Sequence, residues 1–96
     1  MPDVTYVKRW TLEAIDKYDA ELAAKGIEPK RSDVSLPISD EAAAYAHLRW
    51  MCGEIRKFAE EERFDKCNRW IGFMQGALWM LRHSTIDRFR ADNTGS

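Results

Sequence analysis

The sequence predicts an all-α single domain: a small helical bundle of three main helices plus a short C-terminal helix, with helices 2 and 3 an antiparallel hairpin. Three observations carry this. Apolar residues recur at spacings of three and four over three long stretches. Pro29 and Pro37, which a helix interior does not tolerate, both fall in one connection, residues 27–38. That connection has no second alternating segment to pair with as a strand. A chain of 96 residues is too short for two independent cores, so residues 1–96 read as one unit.

Helix 1 is expected over residues 4–25. Val4, Val7, Thr11, Ile15, Tyr18 and Leu22 make one stripe. Asp3 is placed to cap its start and Gly26 to close its end. The connection that follows alternates Val34, Leu36 and Ile38 with polar residues or proline, which suits an extended segment laid across the core. Helix 2 starts at Ser39, with Asp40 and Glu41 in its first turn. Its core stripe is Ala44, Leu48, Met51, Ile55 and Phe58, widened by Tyr45, Cys52 and Ala59. The run Glu60-Glu61-Glu62 ends it.

Helix 3 is expected over residues 65–82, with Cys67, Trp70, Ile71, Met74, Ala77, Leu78 and Leu81 inward. Phe73 and Met80 extend its apolar arc to about half the circumference. Such an arc predicts the central helix, covered on both sides, with helix 1 against its wide face. Gly72 and Gly76 each cost a helix about 1 kcal/mol against Ala, which predicts a close approach of something to that backbone. Ser84 caps a short last helix with Asp87 in the capping-box position, Ile86 and Phe89 face the core, and Arg88 and Arg90 stay wet. Residues 91–96 are expected to fray.

Composition excludes several classes. Fifteen basic against 16 acidic residues leave a net charge of −1, which fits neither a disordered acidic tail nor a basic coat for nucleic acid. The start Met1-Pro2-Asp3-Val4 lacks the basic and apolar regions of a signal peptide. The longest uncharged run, residues 70–81, is shorter than the roughly 20 apolar residues of a spanning helix. Two cysteines make no disulfide framework, and the default location is the cytoplasm.

The chemistry-bearing residues do not form a motif. His47, Cys52, Cys67 and His83 show neither C-x-x-C nor H-E-x-x-H spacing, so no metal site is expected, and no cofactor. Cys67 and His83 stand about 24 Å apart along a helix, and His47 and Cys52 point about 140° apart around one. No nucleophile–base pair arises within a helix, so no catalytic residue is assigned. His47 reads as a surface histidine, and both cysteines as free, buried thiols. A nucleic-acid face would require Lys8, Arg9, Lys25, Lys30 and Arg31 to gather at the junction of helix 1 and the connection.

The tryptophans are more informative. Trp70 belongs to the core arc, whereas Trp50 shares its side of helix 2 with Glu54, Lys57 and Glu61. Trp79 lies off the arc with Gly72, Gln75 and Arg82, and Trp10 sits at the margin of helix 1 beside Tyr6. Tryptophan is enriched at binding hot spots, so Trp50, Trp79, Gln75, Trp10 and Tyr6 form the expected partner surface. A fourth helix, the connection or a second copy of the chain would cover them equally well.

The run from Arg69 through Trp70, Gly72, Gln75 and Gly76 to Trp79, followed by Thr85-Ile86-Asp87 and Asp92-Asn93, resembles a segment of small uncharacterised accessory proteins of tailed bacteriophages and prophages. Leu48-Arg49-Trp50-Met51 in the preceding helix fits the same likeness, which covers the C-terminal half. The resemblance implies a phage accessory protein in the cytoplasm of a bacterial host and carries over no catalytic residue. Together with the tryptophans it leads to the expectation of a non-enzymatic protein-binding role. The partner is a host or phage protein, with inhibition of a host defence system, in the manner of an anti-CRISPR protein, as one form. The alternative is a small regulatory nucleic-acid-binding protein. A homodimer is expected, and no membrane partner.

Overall fold

A computed structural model describes the backbone of residues 4–93 and the side chains of residues 7–93. Four helices follow one another: α1 (Val4–Ala24), α2 (Glu41–Glu60), α3 (Phe64–Met80) and α4 (Ile86–Asn93). The expected cap Asp3 lies outside the described residues. Gly26 closes α1 as expected, with φ +78° and its N–H on the Ala23 carbonyl.

The α2–α3 hairpin turns in three residues. Glu62 takes a left-handed φ of 59° and the Arg63 N–H reaches back to Phe58 O at 2.9 Å. The end of α3 repeats this: Arg82 has φ 62° and the His83 N–H reaches Leu78 O at 2.8 Å. Both are Schellman-type closures made without glycine.

The core is built from the predicted stripes. Ile15, Tyr18, Leu22, Ile55, Met74 and Leu78 are fully buried together with Cys52 and Cys67. Thr11 is also fully buried, and its hydroxyl has no partner among the described residues. Both thiols are free. Cys67 Sγ lies 3.8 Å from Ile55 O.

Several expectations fail. Helix α1 lies chiefly along α2 and touches α3 less, so α2 rather than α3 is the central helix. Ion pairs fix that arrangement: Arg49 Nε to Asp19 at 2.9 Å, and Arg56 Nη2 to Asp16 at 2.8 Å and to Asp19 at 3.0 Å. Phe73 and Met80 are therefore not covered and stand 62% and 73% exposed. Among the described residues nothing packs over Gly72 or Gly76, since a Cβ at either would meet no atom from outside its own helix backbone within 4 Å. Asp40, not Ser39, caps α2, its carboxylate accepting from Ala43 N at 2.7 Å.

The connection does not lay its apolar side chains on the core either. Val34, Leu36 and Ile38 are all exposed. It is tied to α2 by polar bonds instead. Lys30 N donates to Ala46 O, Ser32 N to His47 Nδ1, and Arg49 Nη1 to Ile27 O at 2.7 Å. The turn at Asp33 is held by its carboxylate on Ser35 N.

The C-terminal end is more ordered than predicted. Thr85 rather than Ser84 caps α4, through Oγ1 on Arg88 N. Phe89 is buried and Ile86 is exposed. Arg88 is not wet: it makes paired bonds to Glu21, with Nη2–Oε2 at 2.6 Å. Residues 91–93 do not fray but complete α4, while residues 94–96 lie outside the described residues. Asp92 is buried, its carboxylate accepting from Tyr18 Oη at 2.8 Å and Lys17 Nζ at 3.1 Å.

Candidate functional site

The flank of the α2–α3 seam that α1 leaves bare carries the site. Exposed Phe73 and Met80 share a stripe of α3 with Arg69 and Ala77, at spacings of four, four and three. Opposite them α2 presents Ala44, His47, Trp50 and Met51. The connection supplies a third wall through Arg31, Val34 and Ile38.

One end is a cleft of about 380 Å³ between Trp50, Trp70 and Phe73, rimmed by Arg31 and Arg69. It runs through His47 and Phe73 into an apolar trough of about 230 Å³ floored by Leu48 and Ala77. Ile38, Met80 and Leu81 then pass it on to a third hollow beside Asp40, Glu41 and Arg82. The three hollows share lining residues and adjoin one another, aromatic and basic at one end and mixed in charge at the other.

The aromatic end is cross-braced. Trp50 packs on Trp70 with ring centres 6.1 Å apart and on His47 at 5.2 Å. Trp70 meets Phe58 edge-on at 5.0 Å. The Arg31 guanidinium sits 5.4 Å over the Trp50 ring, and Lys66 Nζ lies 4.5 Å over Phe58. Burial and then the charge of Arg31 lower the His47 pKa. The ring is neutral at pH 7, as an Nδ1 that accepts from Ser32 requires.

Neither cysteine lines this groove; both lie in the core beneath it. Burial pushes the Cys52 thiol up to about 12, with the charge of Asp19 adding to it. Burial raises Cys67 as well. Both are held away from the reactive thiolate form. Among the described residues no cluster of His, Cys, Asp and Glu is placed to hold a metal ion, and no helix is long and apolar enough to cross a membrane.

The five residues singled out in the sequence go to different places. Trp50 is half-buried in the groove wall. Trp79 is 48% exposed but nine residues from Trp70, about 180° around α3 and so on the other flank. Gln75 is buried, its amide donating to Tyr18 Oη at 2.9 Å and to Asn93 Oδ1 at 2.8 Å. Trp10 is half-buried and its Nε1 donates to the Asp92 carbonyl at 2.6 Å. These two fasten α4 to the body. The Tyr6 side chain lies outside the described residues. Trp70, assigned to the core, is partly buried and lines the groove.

The basic residues do not gather. Lys8 pairs with Glu60 at 2.8 Å, and about 25 Å of helix separates it from Lys25. The residues that sequence reasoning missed are Arg31, Arg69, Trp70, Phe73 and Met80. The signal was present in the over-wide apolar arc of helix 3, which reads equally as a covered helix or as one left bare along one edge.

Comparison with protein-family models, curated proteins and solved structures finds no match to this chain.

Proposed function

We propose that the chain is a non-enzymatic protein-binding module that acts by occupying the surface of another protein. The observation that carries this is the open groove along α2 and α3, where Phe73, Met80 and Ile38 expose large apolar surface beside half-buried Trp50 and Trp70. Exposed apolar surface of this kind, walled by tryptophans, is the usual anatomy of a binding hot spot. The resemblance of the C-terminal half to phage and prophage accessory proteins supplies the setting: the bacterial host cytoplasm, with a host protein, a defence system among the candidates, as the target that is modulated or inhibited.

An affinity pull-down from bacterial lysate, read by mass spectrometry for the intact chain and for Phe73→Glu, tests this. A host protein retained by the first and lost from the second, with unchanged thermal melts, is the expected result. Identical capture profiles would refute the reading.

Self-association belongs to the same proposal and is favoured by the opposite flank of α3. Gly72, Gly76 and Trp79 form one exposed stripe there, at spacings of four and three, with open space over both glycines. Sedimentation at about 100 μM should show a species heavier than 11.2 kDa. A single 11.2 kDa species counts against it.

A further inference from the structure

We infer that the groove receives an amphipathic helical segment of the partner, acidic at the end that lies beside Arg31 and Arg69. This rests on the protein-binding reading and names the partner's chemistry. Shape comes first. The groove follows two antiparallel helices, and α1 fills only the other flank of their seam, so a further helix laid here packs on the flank that α1 leaves bare. From Arg69 to Met80 along α3 it runs about 17 Å, the length of roughly 11 helical residues, and a helix is the convex body that fills such a trough. A second copy presenting the same groove would set one hollow against another.

Charge sets direction and composition. Most basic side chains outside the groove are spent on carboxylates: Lys8, Lys17, Arg49, Arg56 and Arg88 all make ion pairs. Arg31 and Arg69 make none among the described residues. Asp33, near enough to feel the charge of Arg31, gives its carboxylate to Ser35. Arg31, seated over the Trp50 ring, and Arg69, neither with a carboxylate of its own, fit carboxylates that flank an apolar anchor. The far end adds Asp40 and Glu41 to Arg82, so a basic residue of the partner suits that end. The same carboxylates, and the uncharged stretch through Ile38 and Met80, leave a phosphate backbone without cations along most of the track.

Random peptides of about 14 residues, displayed and selected against the intact chain, test this. Enriched sequences are synthesised and titrated by fluorescence anisotropy against the wild type, the R31E/R69E double variant, Phe73→Glu and Met80→Glu. All four substituted side chains are exposed, and melts confirm that each variant folds. The expected peptides carry carboxylates at one end of an i, i+3/i+4, i+7 apolar pattern. They should lose about tenfold or more in affinity for R31E/R69E, and lose binding to Phe73→Glu and Met80→Glu.

Peptides blocked by Phe73→Glu but indifferent to R31E/R69E overturn the acidic partner and leave the protein-binding reading standing. No enrichment, or peptides indifferent to Phe73→Glu, overturns both. A single-stranded oligonucleotide that displaces the peptides at physiological salt assigns the groove to nucleic acid instead. A dimer in sedimentation that Phe73→Glu dissolves assigns it to a second copy. Either result also overturns the inference.

Discussion

Four tryptophans in so small a domain invite the assumption that they do one job, and they do three. Trp10 donates to a backbone carbonyl of α4, Trp50 and Trp70 brace a groove wall, and Trp79 stands about half in solvent. Truncation should sort them. Leu22, fully buried, sets the upper mark, with Leu22→Ala costing about 2–5 kcal/mol. Trp50→Ala and Trp70→Ala should fall below that, and Trp79→Ala should change stability least. Chemical denaturation of the four variants checks the ranking, which fails if Trp79→Ala destabilises as much as Leu22→Ala. Thr11 is a second case at this scale. Its hydroxyl is fully buried and has no partner among the described residues, and burying such a group costs about 1–3 kcal/mol. Thr11→Val keeps the shape and branching and should raise the melting temperature, whereas a lowered one would mean that the hydroxyl is satisfied.

The helices were the legible part of the sequence and their neighbours were not. A stripe such as Thr11, Ile15, Tyr18 and Leu22 states that a face is buried, and all four are. It does not state which helix covers it, because that is decided by side chains far apart in sequence, here Arg49 and Arg56 reaching Asp16 and Asp19. The same blindness hid the groove. Phe73 and Met80 read as core from spacing alone, and only the placement of α1 on α2 leaves them bare. Gln75 shows the converse: a polar residue on the margin of α3, exposed by its position on the wheel, is buried because α4 brings Asn93 to it. Gly72 and Gly76 sit within α3 with nothing over them, so Ala at both should add about 1 kcal/mol each, or roughly 4–8 °C per substitution. Melts that fall instead would reveal a contact over that backbone.

Two titrating groups shape the stability of the molecule as a whole. Burial alone would raise the Glu21 pKa, but hydrogen bonds from Arg88 and His83 outweigh it and hold the carboxyl below its ordinary range. A depressed carboxyl contributes stability that is full above the unfolded value of about 4.3 and is lost as pH falls through the folded one. His47 acts from the other side of neutrality. Its folded pKa is lowered, so below about 6.5 the unfolded chain binds the proton more readily and stability drops with falling pH. Melting temperature should thus decline in two stages on acidification. His47→Gln should remove the upper stage and keep the lower, while Glu21→Gln should weaken the lower. A flat profile between pH 7 and 5 in the wild type would contradict the first assignment.

The buried cluster around Asp92 also sets an order in time. Tyr18 and Asp92 are 74 residues apart in the chain, and Trp10 and the Asp92 carbonyl are 82 apart. A ribosome adding about 5–20 residues per second needs roughly 4–15 s to cover the first of those intervals. Helical bundles close in microseconds to milliseconds, so α1 and α2, which end at Ala24 and Glu60, are free to pair before Asp92 exists. During that interval the Tyr18 hydroxyl, the Trp10 indole and the Glu21 carboxylate lack their partners from residues 75–92. The last helix to be synthesised then docks onto a surface already waiting for it, and its arrival withdraws Tyr18 from solvent.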